Sequence, residues 1–126
     1  MTNPARYGAT AKATRVRLRK EEKSLSVDFD DGRSFEYPAE LLRVESPSAE
    51  VQGHGPSQKK IVAGRRHVNI INVEPVGNYA VRLVFDDLHD SGIYSWSWLY
   101  DLGCNMESRW QAYLAGLDSA GLSRDP

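Results

Sequence analysis

Residues 81–103, VRLVFDDLHDSGIYSWSWLYDLG, limit the possible folds more than any other part of the chain. Val81, Leu83 and Phe85 alternate with Arg82, Val84 and Asp86, the period of two that sends one side chain in two toward a core. That is a strand. Asp86, Asp87, His89, Asp90, Ser91 and Gly92 interrupt it with turn formers, and Ile93 and Tyr94 resume it, which predicts a hairpin with His89 at its tip. Ser95 or Ser97 can cap a following helix carrying Trp96, Leu99, Tyr100 and Leu102, with Gly103 at a left-handed C-cap. The stretch brings aromatic bulk for a core and places three carboxylates and an imidazole at one end.

The rest of the chain fits the same plan. Val16 and Leu18, then Leu25, Val27 and Phe29, alternate with polar residues. Asp30-Asp31-Gly32 supplies a turn into a third strand, Ser34 to Tyr37. Pro38 opens a short helix docked by Leu41, Leu42 and Val44. Ser46-Pro47-Ser48 stops the helix, and residues 49–60, dense in Gly, Pro, Ser and charge, form a long loop with His54 between Gly53 and Gly55. Residues 61–63 and 69–80 read as further short strands, in which Ile71, Val73 and Pro75 lie opposite in phase to Ile70, Asn72 and Glu74. Met106, Trp110, Tyr113, Leu114 and Leu117 have helical spacing. The predicted fold class is α+β, an antiparallel sheet of five to seven short strands with two or three packed helices. Residues 15–117 form a single domain between a flexible N-terminal tail, 1–14, and a C-terminal tail, 118–126.

Composition excludes several functions. Sixteen Lys and Arg against seventeen Asp and Glu leave a net charge of −1, so no global field draws nucleic acid or anionic lipid. The cluster Lys59, Lys60, Arg65, Arg66 and His67 reads as a solvated loop face. Cys104 is the one cysteine, which rules out an internal disulfide or a cysteine zinc cluster, and it reads as a small buried hydrophobe. No apolar run is long enough to cross a bilayer, and the default location is cytoplasmic.

Two blocks, LLRVESPSAEVQGHGP and VRLVFDDLHDSGIYSW, in that order resemble the gamma-butyrobetaine hydroxylase-like N-terminal domain, which also occurs alone in bacteria as a domain of unknown function. The resemblance spans roughly residues 15–114. It implies an accessory, non-catalytic role, since the dioxygenase domain that holds iron and 2-oxoglutarate has no room in this chain. An iron-dependent dioxygenase or an iron-sulfur assembly protein is the partner class implied. In the eukaryotic dioxygenase version the domain holds zinc through a C-x-C-x-x-C loop and a later histidine. Laid on this chain, that pattern falls on Ser46, Ser48, Val51 and His89, so the three-cysteine zinc site is expected to be absent.

Among the residues themselves, His54 and His89 stand out. If their loops converge, two imidazoles with Asp90, Asp86, Asp87 or Glu50 make a nitrogen and oxygen set suited to a divalent iron, manganese or zinc ion; His54, His89 and Asp90 are the expected metal ligands. The other reading has His89 bracing its hairpin through hydrogen bonds and His54 ordering its own loop. Both are loop side chains whose removal is expected to cost little, and a large loss for either would favour the bracing reading. No nucleophile with a supporting base is spaced for catalysis, so no catalytic residue is assigned. The expected function is an accessory domain that binds a metal ion or an iron-associated partner through the His54 and His89 loops. The alternative is a metal-free protein-protein interaction module.

Overall fold

The computed structural model describes residues 11–126. The first ten residues of the expected N-terminal tail lie outside that range. Among the described residues six strands form, divided between two three-stranded antiparallel sheets rather than joined in one. The first sheet contains β1 (Ala13–Arg19), β2 (Ser24–Phe29) and β3 (Ser34–Pro38) in sequence order. The second contains β4 (Ile70–Val76), β5 (Ala80–Phe85) and β6 (Ile93–Ser95). Two short helices, α1 (Ala39–Val44) and α2 (Ala49–Gln52), and a 3₁₀ turn at Pro56–Gln58 fill the connection between the sheets. Two longer helices, α3 (Trp96–Cys104) and α4 (Met106–Ser119), follow the second sheet.

The period-two patterns place the core as expected. Leu25, Val27 and Phe29 of β2 and Val81, Leu83 and Phe85 of β5 are all buried, and α1 adds Leu41, Leu42 and Val44. Each of these strands is the middle member of its sheet, so its apolar face is covered from both sides. On β4 the expected alternation fails at one residue. Ile70 pairs with Phe85 and Asn72 with Val84, which leaves Ile71 as a bulge. The extra residue reverses the phase, so Ile70 is buried while Ile71 is 47% exposed and Val73 turns back toward the core. Residues 61–63, expected as a strand, form none, because they pack against α4 instead of pairing with a sheet edge.

Helix α3 starts where Ser95 accepts the Trp98 amide hydrogen on its hydroxyl, at 3.1 Å. Gly103 has a different role from the C-cap expected of it, for it lies inside the helix. A Cβ there would come within 2.6 Å of the Phe35 ring, so the glycine allows the first sheet to close on the helix. Phe35 meets Tyr100 edge-on at 5.9 Å, and Phe29 does so at 5.1 Å. The phenols of Tyr37 and Tyr94 are buried and donate to the carbonyls of Leu99 and Leu42, fastening each sheet to a helix. Burial raises both phenol pKa values well above the ordinary range.

The last residues, expected as a tail with little to bury, are tied to the body by charge. Arg124 donates to both oxygens of Glu40 on α1 at 2.7 Å, and its guanidinium stacks 5.0 Å over Trp110. Tyr113 donates to the same carboxylate. Glu40 is 6% exposed, and a buried carboxylate needs such partners; its charge calls the tail in. Cys104, expected to be buried, is exposed and accepts from Arg33 at 3.4 Å.

Phe85 is the last residue of β5, with none of its surface exposed, beneath the turn that follows it. Phe85→Ala is expected to cost about 3 to 5 kcal/mol in urea unfolding. A melting curve like that of wild type would show that the β5 side chains do not face the core.

Candidate functional site

The site is formed where the connection after α1 meets the β5–β6 turn. Helix α1 ends at Glu45, which places Ser46 and Ser48 over residues 89–92. Gly92 makes the approach possible, since a Cβ at this position would lie 2.6 Å from the Ser46 hydroxyl. The Ser46 hydroxyl is 2.9 Å from His89 Nε2, and His89 Nδ1 is 3.1 Å from Glu50 Oε2. Ser91 donates to Glu50 Oε1 at 3.1 Å and shares a 2.7 Å hydrogen bond with Ser48. Ser48 caps α2 by accepting from the Glu50 amide. The Ser91 and His89 hydrogen bonds hold the Glu50 carboxyl below the ordinary carboxylate range.

Serine, histidine and a carboxylate in this order of contact also define hydrolase triads, where the hydroxyl must face a substrate. Ser46 is fully buried here, so the same set of bonds works as a strut between the two loops. The four positions that the zinc-binding pattern matches, Ser46, Ser48, Val51 and His89, belong to these same two segments. They do not fit the metal. The hydroxyls are neutral, Val51 has no donor, and both nitrogens of His89 are engaged.

Beside the strut, Asp87 joins three parts of the chain. Its Oδ2 accepts from Arg43 of α1 and from Arg65 of the 59–69 segment, each at 2.7 Å, and its Oδ1 accepts the His89 amide at 3.1 Å. Burial works against its charge, but the amide and the two guanidinium groups outweigh that and lower its pKa. Asp86 accepts from the Asn69 amide, and Asp90 pairs with Arg82.

The structure separates the residues expected to act together. His89 is 4% exposed, enclosed below the tip, while His54 is exposed and its amide donates to Gln58. The two loops do meet, but through Ser46, Ser48 and Glu50. Among the described residues no group of three or more His, Cys, Asp or Glu side chains could hold a metal ion, and His54, His89 and Asp90 form no such group. The expectation that His89 is a loop side chain of little structural weight is corrected by its burial and its two hydrogen bonds. The sequence reading missed the Asp87 pairings, because Arg43 and Arg65 are far from Asp87 along the chain and carry no motif.

Leu88 was also missed, though a comparison within the chain exposes it. The β2–β3 turn reads Phe29-Asp30-Asp31-Gly32-Arg33, and the β5–β6 turn reads Phe85-Asp86-Asp87-Leu88-His89. Both close in the same way. The fourth residue's amide donates to the first carbonyl at 3.1 Å in each, and the first amide donates to the fifth carbonyl at 2.8 and 3.0 Å. This is a three-residue hairpin whose last loop position takes positive φ. Gly32 holds φ 90°, the conformation glycine adopts freely, whereas Leu88 holds φ 73° with its side chain exposed; the residue is 85% exposed.

A model of the gamma-butyrobetaine hydroxylase-like N-terminal family matches residues 16–100, and the chain belongs to that family. Two solution structures determined by NMR are similar to it. One is 48% identical with a TM-score of 0.82, covering 100% of this chain and 92% of that one. The other is 46% identical with a TM-score of 0.80, covering 91% and 90%. A crystal structure of a protein of unknown function from Acidithiobacillus ferrooxidans is 33% identical with a TM-score of 0.62, covering 81% of this chain and 98% of that one. No curated protein shows significant similarity to the chain. No helix among the described residues is long and apolar enough to cross a membrane.

His89→Ala is expected to cost about 2 kcal/mol or more, because the buried Ser46 hydroxyl loses a partner and a cavity opens beside Phe85. His54→Ala should stay within about 0.5 kcal/mol. Urea unfolding of both checks the difference, and equal small losses would remove the strut. Asp87, Glu40 and Glu50 all have folded pKa values below their ordinary ones. Such groups stabilise the fold above the unfolded carboxylate pKa, and that contribution disappears as pH falls through the lowered folded values. Stability should therefore drop as pH falls from about 5 to about 3. Asp87→Asn should start less stable and fall less steeply.

Proposed function

We propose that the domain is a non-catalytic accessory module that grips a partner protein through the 86–92 turn and the adjoining 46–58 segment, with Leu88 entering the partner. The observation that carries this reading is the pair of matched turns. One turn has glycine at the left-handed position and the other has leucine, and nothing in the isolated domain compensates for the leucine. A leucine that strains the backbone and leaves its side chain in water gains only when something else covers it. The turn is rigid, since Asp87, His89 and Ser91 are all bonded to neighbouring segments, so Leu88 is presented with little ordering cost on binding.

Asp86, Asp90 and Glu50 are exposed around it, which favours a partner whose apolar socket is rimmed by Lys or Arg. The family resemblance makes an iron-dependent dioxygenase or an iron-sulfur assembly protein of the same cell the first candidate. The metal-free form of the reading is preferred, because both His89 nitrogens are already hydrogen-bonded and His54 stands apart from them.

Leu88→Gly removes about 1 to 2 kcal/mol of left-handed strain and adds back about 0.5 to 1 kcal/mol of unfolded-chain freedom. The variant should be roughly 0.5 to 1 kcal/mol more stable than wild type. In calorimetric titrations with purified candidate partners, carried out in a chelator, it should bind at least about tenfold more weakly, as expected for a central apolar anchor. Unchanged binding would rule out Leu88 as the anchor. Binding that requires metal and His54 would return the function to a metal site.

A further inference from the structure

A second site lies away from the Leu88 turn, between the end of α1, residues 59–62 and α4. It is a cleft of about 210 Å³. One side is apolar, formed by Val44, Ile61, Ala112 and the face of α4 at Gly116; the other carries charge. Glu45, 5% exposed, accepts from Arg109 at 2.8 Å through one oxygen and from Lys59 through the other. Lys60 stands beside them, exposed. Arg109 also donates to the exposed Asp101 at 3.1 Å, so three cations and two carboxylates stand at the edge of an apolar hollow.

Gly116 shows that the hollow is kept open. It lies within helix α4, where glycine is less favourable than alanine, and no positive φ requires it. Close packing does not require it either. A Cβ at this position would meet only the Ile61 methyl at 3.8 Å, an ordinary contact. The helix gives up stability at a position where alanine would fit, and what it retains is space in the cleft. Ile61, which lines the same hollow, is 48% exposed.

We propose that this cleft binds a small amphipathic carboxylate. Its anionic group would sit against Lys60, Lys59 and Arg109, and its short apolar chain would lie on Ile61, Ala112 and Gly116. The charge surplus selects an anion over an amine, and the apolar wall selects a hydrocarbon body over a fully polar anion. The cleft is below the roughly 300 to 1,000 Å³ of pockets for drug-sized ligands, so the chain is short. A bound carboxylate would be the third against three cations and would bring the site to neutrality, which Glu45 and Asp101 leave one positive charge short of.

The test is an amide NMR titration of the full chain with sodium hexanoate, and with hexylammonium and acetate as controls. Hexanoate should give saturable shifts confined to residues 60–62, Arg109, Ala112 and Gly116, with a dissociation constant on the order of millimolar. Both controls should give none. Lys60→Glu, a surface change, should weaken hexanoate by about fivefold. Gly116→Val should abolish binding by filling the hollow, its fold checked by the amide spectrum. Gly116→Ala should raise the Tm by about 3 to 6 °C. Shifts that do not saturate, equal shifts with hexylammonium, or full binding by Gly116→Val would overturn the proposal.

Discussion

Asp87 is the point on which the arrangement of this domain depends. Its carboxylate holds two arginines and an amide from three segments, and Arg43 reaches it while buried within α1. A guanidinium taken out of water in this way is tolerable only if its charge is met, so helix, loop and turn must assemble together or not at all. Glu40 with Arg124, and Glu45 with Lys59 and Arg109, repeat the device on either side of the same short helix. Helix α1 is thus apolar where it faces the sheets and ionic where it faces the connecting segments. This accounts for the burial of all six of its residues.

The Ser46, His89 and Glu50 contacts serve a similar end with weaker bonds. A metal fixes two loops by a few strong directional bonds, and here several hydrogen bonds, each worth about 1 kcal/mol net, span the same gap. Such a network needs every member satisfied. Ser48, Ser91 and the Glu50 amide complete it. The result is a turn held firmly enough to keep Leu88 in a conformation that its twin turn assigns to glycine.

Much of the fold was legible from period alone. β2 and β5 are middle strands whose alternation needs no knowledge of distant residues, and Leu25, Val27, Leu83 and Phe85 are core for that reason. The misreadings each have a physical cause. The bulge at Ile71 reverses a phase that sequence spacing carries forward unchanged. Gly103 resembles a helix end but serves the Phe35 ring, which approaches from the first sheet. The candidate site was half legible: the two loops were paired through resemblance and Glu50 was among the groups named beside His89, but the imidazole expected to face His89 was His54, where the structure has the Ser46 hydroxyl.

By itself the sequence determined the α+β class, the strand phases of β2 and β5, a serine cap at Ser95 or Ser97 and the two turns that share Phe-Asp-Asp, because each rests on contacts or dihedral preferences within a few residues. Only the tertiary structure decided that the strands divide into two sheets, that His89 is buried while His54 is not, that Asp87 gathers Arg43 and Arg65, and that Arg124 closes over Glu40. Those outcomes rest on the cost of removing charge and hydroxyl groups from water. That cost is met by partners whose distance along the chain carries no signal.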